Sequence, residues 1–234
     1  PMSTYAWVDL LSVLFPLLFS FSPWLRFHHQ WRATAVGILA MMAFFIPWDI
    51  LFAAEGVWRF SVEHTWSARL FGLPLEEWGF FICIPYACLF TYHCVSIQLK
   101  SDLLAKHARW ISISVVVTLL TIALSDLHLK YTATTFLLCA ILVLFVDLIL
   151  RPVWLGRFYF TFLVLLIPFL IVNGVLTGTG IEGEVVWYND AENLGIRLFT
   201  IPIEDIFYGL LMQLMAVMFY EQVRSRWPGK ASTT

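Results

Sequence analysis

Apolar residues along the chain gather into seven stretches, at about 4–21, 34–53, 76–98, 110–125, 131–150, 155–176 and 200–220, and polar residues are largely confined to the intervals. A helix needs about 20 apolar residues to cross about 30 Å of hydrocarbon, so the pattern predicts an all-α polytopic membrane protein of about seven transmembrane helices. The whole of 1–234 reads as a single membrane domain. No basic run precedes the first stretch and no small-residue cleavage pattern stands out after it, so a retained helix is expected there rather than a signal peptide.

The distribution of Lys and Arg orients the bundle. With the N-terminus outside, ten basic residues fall on the cytoplasmic side (Arg26, Arg32, Lys100, Lys106, Arg109, Arg151, Arg157, Arg224, Arg226, Lys230) and four outside (Arg59, Arg69, Lys130, Arg197). The positive-inside rule therefore predicts an outer N-terminus, a cytoplasmic C-terminus and residence in the cell (inner) membrane.

The two longest intervals, 54–75 and 177–199, fall outside and carry the same signals in the same order. Each contains a Val-Trp pair, Val57-Trp58 or Val186-Trp187, and each leads into a proline, an aliphatic residue and two acids: PLEE at 74–77 and PIED at 202–205. Trp58 precedes Glu76 by 18 residues and Trp187 precedes Glu204 by 17. A polar residue, Asp49 or Asn173, ends the span before each interval. This is an internal repeat of three helices, about 4–98 and about 131–221, joined by a linking helix at about 108–126. An offset of four spans makes the copies run parallel, so Asp49, Glu76, Glu77, Asn173, Glu204 and Asp205 share one depth and are expected to converge on one pocket.

Composition narrows the class. The chain is 60% apolar and 13% charged, with a formal net charge of −2, which suits a bilayer and gives no basic stripe for nucleic acid. Cys83, Cys88, Cys94 and Cys139 lie in the spans without the spacing of a zinc site and read as packing residues. Neither a metal nor a cofactor is expected, and no strand-framed GxGxxG run occurs. One acidic pair at a helix start is explained by the helix dipole alone. Two pairs, each with a polar residue ending the preceding span, point to function, because ionisable groups at membrane depth are costly.

PLEEWGFF, VVWYNDAENLGIRLFTIPIED, and Asp49 and Asn173 ahead of them resemble the integral-membrane lycopene cyclases, here in the fused single-chain form. The resemblance implies cyclisation of the ψ ends of lycopene, or of other ψ-end carotenoids, to β-ionone rings (γ-carotene, then β-carotene), in a lipid setting and in association with other carotenoid enzymes. Such chemistry needs a proton for the terminal alkene, ring closure through a cation, and loss of a ring proton. A carboxyl crowded among carboxyls at low dielectric is suited to arrive protonated, with Asp49 and Asn173 orienting it and a second carboxylate taking up the departing proton. Aromatic faces stabilise a cation by about 0.5–2 kcal/mol each. Trp78, Phe80, Phe81, Phe207 and Tyr208 are candidates beside the acids, with Trp58 and Trp187 as a lid and Arg197 holding a carboxylate.

Other polar residues read as structural: Asp147 with Arg151 one turn on, His93 as a hydrogen-bonded packing residue, and the remaining histidines scattered, with Asp9 undecided. A retinal Schiff-base protein is excluded, because Lys100, Lys106, Lys130 and Lys230 all lie outside the spans. A membrane prenyltransferase, which would use spaced aspartates and magnesium, is the alternative enzyme. A carotenoid-binding or proton-transporting membrane protein is the alternative without catalysis.

Overall fold

The computed structural model describes residues 2–99 and 101–226, so Lys100 and Lys230 of the topology count lie outside the described residues. Seven helices appear: α1 (Thr4–Phe19), α2 (Trp31–Glu55), α3 (Leu75–Gln98), α4 (Ala108–Ser125), α5 (Lys130–Leu144), α6 (Leu155–Leu176) and α7 (Ile203–Arg226). A 3₁₀ turn, Phe27–Gln30, leads into α2, and a π-helical turn, Phe145–Leu150, extends α5. The chain is an all-α polytopic membrane protein. Among the described residues six helices are long and apolar enough to cross a bilayer. The first, α1, has 16 residues and so rises about 24 Å. It ends at Ser20, whose hydroxyl donates back to the Pro16 carbonyl at 2.6 Å.

The two long intervals are not plain loops. Each holds three short strands: β1 (Trp58–Phe60), β2 (Arg69–Leu70) and β3 (Leu73–Pro74) in one, β4 (Val186–Tyr188), β5 (Arg197–Leu198) and β6 (Ile201–Pro202) in the other. β2–β3 and β5–β6 are tight hairpins, and β1 pairs antiparallel with β4 across the two intervals. The β1–β4 register pairs Arg59 with Trp187 and Trp58 with Tyr188. Exchanging Trp58 with Trp187 and Arg59 with Tyr188 carries each pair onto the other, as a local two-fold axis requires.

Helix packing follows the same exchange. α1 packs on α3 as α5 packs on α7, and α2 lies along α7 as α6 meets α3, while α4 stands aside against α5. Close approach uses small residues, since lipid tails give no hydrophobic drive between apolar helices. A Cβ on Gly37 of α2 would come within 2.7 Å of the Ala216 carbonyl oxygen of α7.

One local expectation is corrected. Asp147 is paired not with Arg151 but with Arg109 of α4, at 3.9 Å. The π turn shifts the one-turn spacing, and Arg151 ends it at φ 45° with its Nε on the Leu148 carbonyl. His93 is a packing residue as expected, its Nε2 2.7 Å from the Leu25 carbonyl oxygen.

Candidate functional site

Both acidic pairs occupy the first turns of helices, Glu76 and Glu77 on α3 and Glu204 and Asp205 on α7. Neighbouring residues on a helix point about 100° apart, so the two members of each pair face different surroundings. The first members hold loop backbone. Glu76 Oε1 accepts from the Trp66 amide at 2.6 Å and from the Ser3 hydroxyl. Glu204 Oε1 accepts from the Leu194 amide at 2.8 Å and the Thr132 hydroxyl at 2.6 Å. Each thus ties the interval ten residues upstream to the first helix of its own copy.

The second members face a cavity of about 250 Å³ between α1, α3, α6 and α7. Glu77 and Asp205 line it together with Asp49 and Asn173, so four of the six polar residues singled out in the sequence meet there and Glu76 and Glu204 do not. The Tyr5 hydroxyl donates to Glu77 Oε2 at 2.6 Å. Asp49 Oδ1 accepts from Trp58 Nε1 at 2.6 Å, while its Oδ2 is buried without a hydrogen-bond partner. Asp205 receives three donors: the Tyr131 hydroxyl on Oδ1, and on Oδ2 the Asn173 amide at 2.6 Å and the Tyr188 hydroxyl at 3.0 Å. Tyr188 lies on β4, outside the spans, and burial followed by the adjacent Asp205 charge pushes its hydroxyl well above the ordinary tyrosine value. It therefore remains a donor throughout the neutral range.

The remaining wall is apolar and aromatic. Trp58, Phe80 and Tyr208 line the cavity, joined by Phe60, Pro168 and Phe169. Pro168 lines the cavity and is exposed, and Val164, Ile167 and Ile171 beside it on α6 are exposed too, so on this side the wall adjoins an apolar surface of the kind lipid covers. The other aromatic candidates point elsewhere. Phe81 packs against Phe45, Phe207 against Phe136, Trp78 donates to the Leu70 carbonyl, and Trp187 lies beneath the Arg59 guanidinium at 5.3 Å. Arg197 holds a carboxylate, but that of Asp190 at 2.6 Å, and it also donates to the Thr200 carbonyl. Hydrogen bonding to Arg197 keeps the Asp190 carboxyl below its usual range.

Tyr5, Tyr131 and Tyr188 were not among the residues singled out from the sequence. Two of them carried a signal: a tyrosine adjoins a threonine at the start of the first helix of each copy, Thr4-Tyr5 and Tyr131-Thr132. Tyr188 had none, since the equivalent residue of the first copy is Arg59. Asp9 is buried, with its Oδ2 2.9 Å from where a Cβ on Gly79 would lie, so glycine at that position leaves room for it.

The family model described as Lycopene cyclase matches residues 2–95 and 128–223, the two stretches on either side of α4. Nothing matches among the curated proteins or the solved structures.

Proposed function

Since the chain belongs to the lycopene cyclase family, we propose that it is a β-cyclase that closes the ψ ends of lycopene to β-ionone rings, first γ-carotene and then β-carotene, by acid–base chemistry without net redox change. The observation that carries this reading is one apolar cavity in which Asp49 and Glu77 from one copy face Asn173 and Asp205 from the other.

The two sides differ in a way the reaction requires. Asp49 and Glu77 are two buried carboxyls on one apolar cavity, and like charges so placed favour keeping a proton on the pair, which makes it the proton donor. Glu77 delivers that proton to C2 of the terminal alkene, leaving a cation at C1. C6 attacks C1, the charge moves to C5, and loss of the proton on C6 forms the ring double bond. Asp205 takes that proton, because three donors from neutral groups suit an ionised carboxylate. Trp58, Phe80 and Tyr208 present aromatic faces to the cation and keep out the water that would trap it as an alcohol. Glu76 and Glu204 act through the loops they hold and do not touch the substrate.

A cavity of about 250 Å³ is at the small end of ligand sites and takes one end group at a time. The polyene leaves over the Pro168 side of the wall into lipid, and the second end follows by release and re-entry. The repeat limits of about 4–98 and 131–221, the inner-membrane location with an outer N-terminus, and association with other carotenoid enzymes belong to this proposal. Expression in cells that accumulate lycopene tests it: the pigment should gain one or two β rings. A pigment that is bound but unchanged would support the carrier reading, and a requirement for magnesium and a diphosphate would support the prenyltransferase.

A further inference from the structure

The proposed reaction leaves a proton on Asp205 and removes one from the Asp49–Glu77 pair, so each turnover needs that proton to cross the cavity or exchange with water. Hydroxyls on the cavity wall are mostly committed. Tyr5 donates to Glu77, Tyr131 and Tyr188 donate to Asp205, and Ser12 and Thr91 donate to carbonyls of their own helices. Among the hydroxyl groups of the described lining residues, that of Tyr208 alone has no hydrogen-bond partner. On a cavity-lining residue, that hydroxyl is free to take a partner inside the cavity.

Its position offers one. Tyr208 lies one turn after Asp205 on α7, and residues three apart on a helix are neighbours. Its ring meets Trp48, next to Asp49 in the chain, at 5.1 Å, and Trp58, which holds Asp49, at 6.3 Å. Asp49, Glu77 and Asp205 all line the same cavity as the phenol. The equivalent position in the first copy, three residues after Glu77, is Phe80, so the hydroxyl is present only on the side that receives the proton. Asn173 in place of Asp49 is the matching difference: the donor side has the second carboxyl, and the acceptor side has the phenol.

We propose that Tyr208 returns the proton from Asp205 to the Asp49–Glu77 pair, closing the catalytic cycle inside the cavity. The phenol oxygen accepts the proton of Asp205 while its own proton passes to the carboxyl pair, so no phenolate forms and no proton is gained or lost overall. The proton taken from C6 of one end group therefore appears on C2 of the next.

This inference rests on the cyclase reading, and one experiment separates the two. Purified protein in lipid vesicles in ordinary water is given lycopene carrying deuterium at C6 and C6′, and ring deuterium is located by mass spectrometry and NMR, with unlabelled lycopene in parallel. The expected result is deuterium at C2 of the rings made by the wild type, and its loss in Tyr208→Phe while rings still form. Rings from the wild type without deuterium at C2 would overturn the relay, as would undiminished carry-over in Tyr208→Phe. If that variant does not insert, Tyr208→His takes its place. Imidazole accepts at one nitrogen and donates at the other, so carry-over should persist, and its loss there counts against the relay. No rings from unlabelled lycopene would overturn the cyclase reading, and the relay with it.

Discussion

Glu77→Gln and Glu76→Gln make the same chemical change at adjacent residues and should have opposite consequences. Glutamine in place of Glu77 keeps the volume and an oxygen to accept the Tyr5 hydroxyl, but it removes the group proposed to carry the proton into the cavity. Losing a general acid costs about 10²–10⁴ in rate, or about 2.7–5.4 kcal/mol of transition-state stabilisation at about 1.36 kcal/mol per factor of ten. Glutamine at position 76 still accepts the Trp66 amide and the Ser3 hydroxyl, now without charge assistance, and buries an amide where Glu76 Oε2 has no partner. That costs about 1–3 kcal/mol of stability and leaves the rate per folded molecule near the wild-type value. Initial rates of ring formation in vesicles, normalised to folded protein, together with thermal unfolding, separate the two effects. Equal loss of rate in both variants, or a larger loss in Glu76→Gln, would refute the division of each acidic pair into a cavity acid and a loop clamp.

Replacing Asn173 by Leu removes one of the three donors to Asp205 and should slow ring formation about tenfold, for a charge-assisted hydrogen bond of about 1.5 kcal/mol; an unchanged rate in single turnovers would count against Asp205 as the base. The Asp190 carboxyl is held low by Arg197, so its contribution to stability is present above the unfolded carboxylate value and is lost as pH falls through the folded one. Asp190→Asn should therefore cost up to about 1 kcal/mol at neutral pH and nothing in acid, which denaturation at several pH values checks, parallel curves being the contrary result. Cysteines introduced at the exposed Ser67 and Thr179 should both react with an impermeant reagent from outside the cell; reaction at only one of them would contradict the parallel repeat.

Helix positions were legible because a bilayer imposes length and polarity on every span, and the predicted stretch 155–176 coincides with α6. The short strands were not legible. Two-residue ladders such as Arg69–Leu70 with Leu73–Pro74 have no period to detect, and β1 finds its partner more than a hundred residues away. The convergence of Asp49, Glu77, Asn173 and Asp205 was expected from the duplicated order of residues, but the different surroundings of Glu76 and Glu77 depend on helical phase, which two adjacent letters do not display. The aromatic wall was over-read for the same reason: Phe80 faces the cavity while Phe81, one residue on, faces Phe45. Arg197 was expected to hold a carboxylate, and which one was not legible: it is that of Asp190, seven residues upstream, towards which the β5–β6 hairpin turns it.

The most direct test of the account is to incubate the purified protein in lipid vesicles with lycopene, with chelator and without any nucleotide, and to identify the pigment. The account predicts monocyclic and then bicyclic carotene with β-ionone rings and the same molecular mass as lycopene, since one proton enters and one leaves at each end. Lycopene recovered unchanged from folded protein, or ring formation that stops when magnesium is chelated, would contradict it.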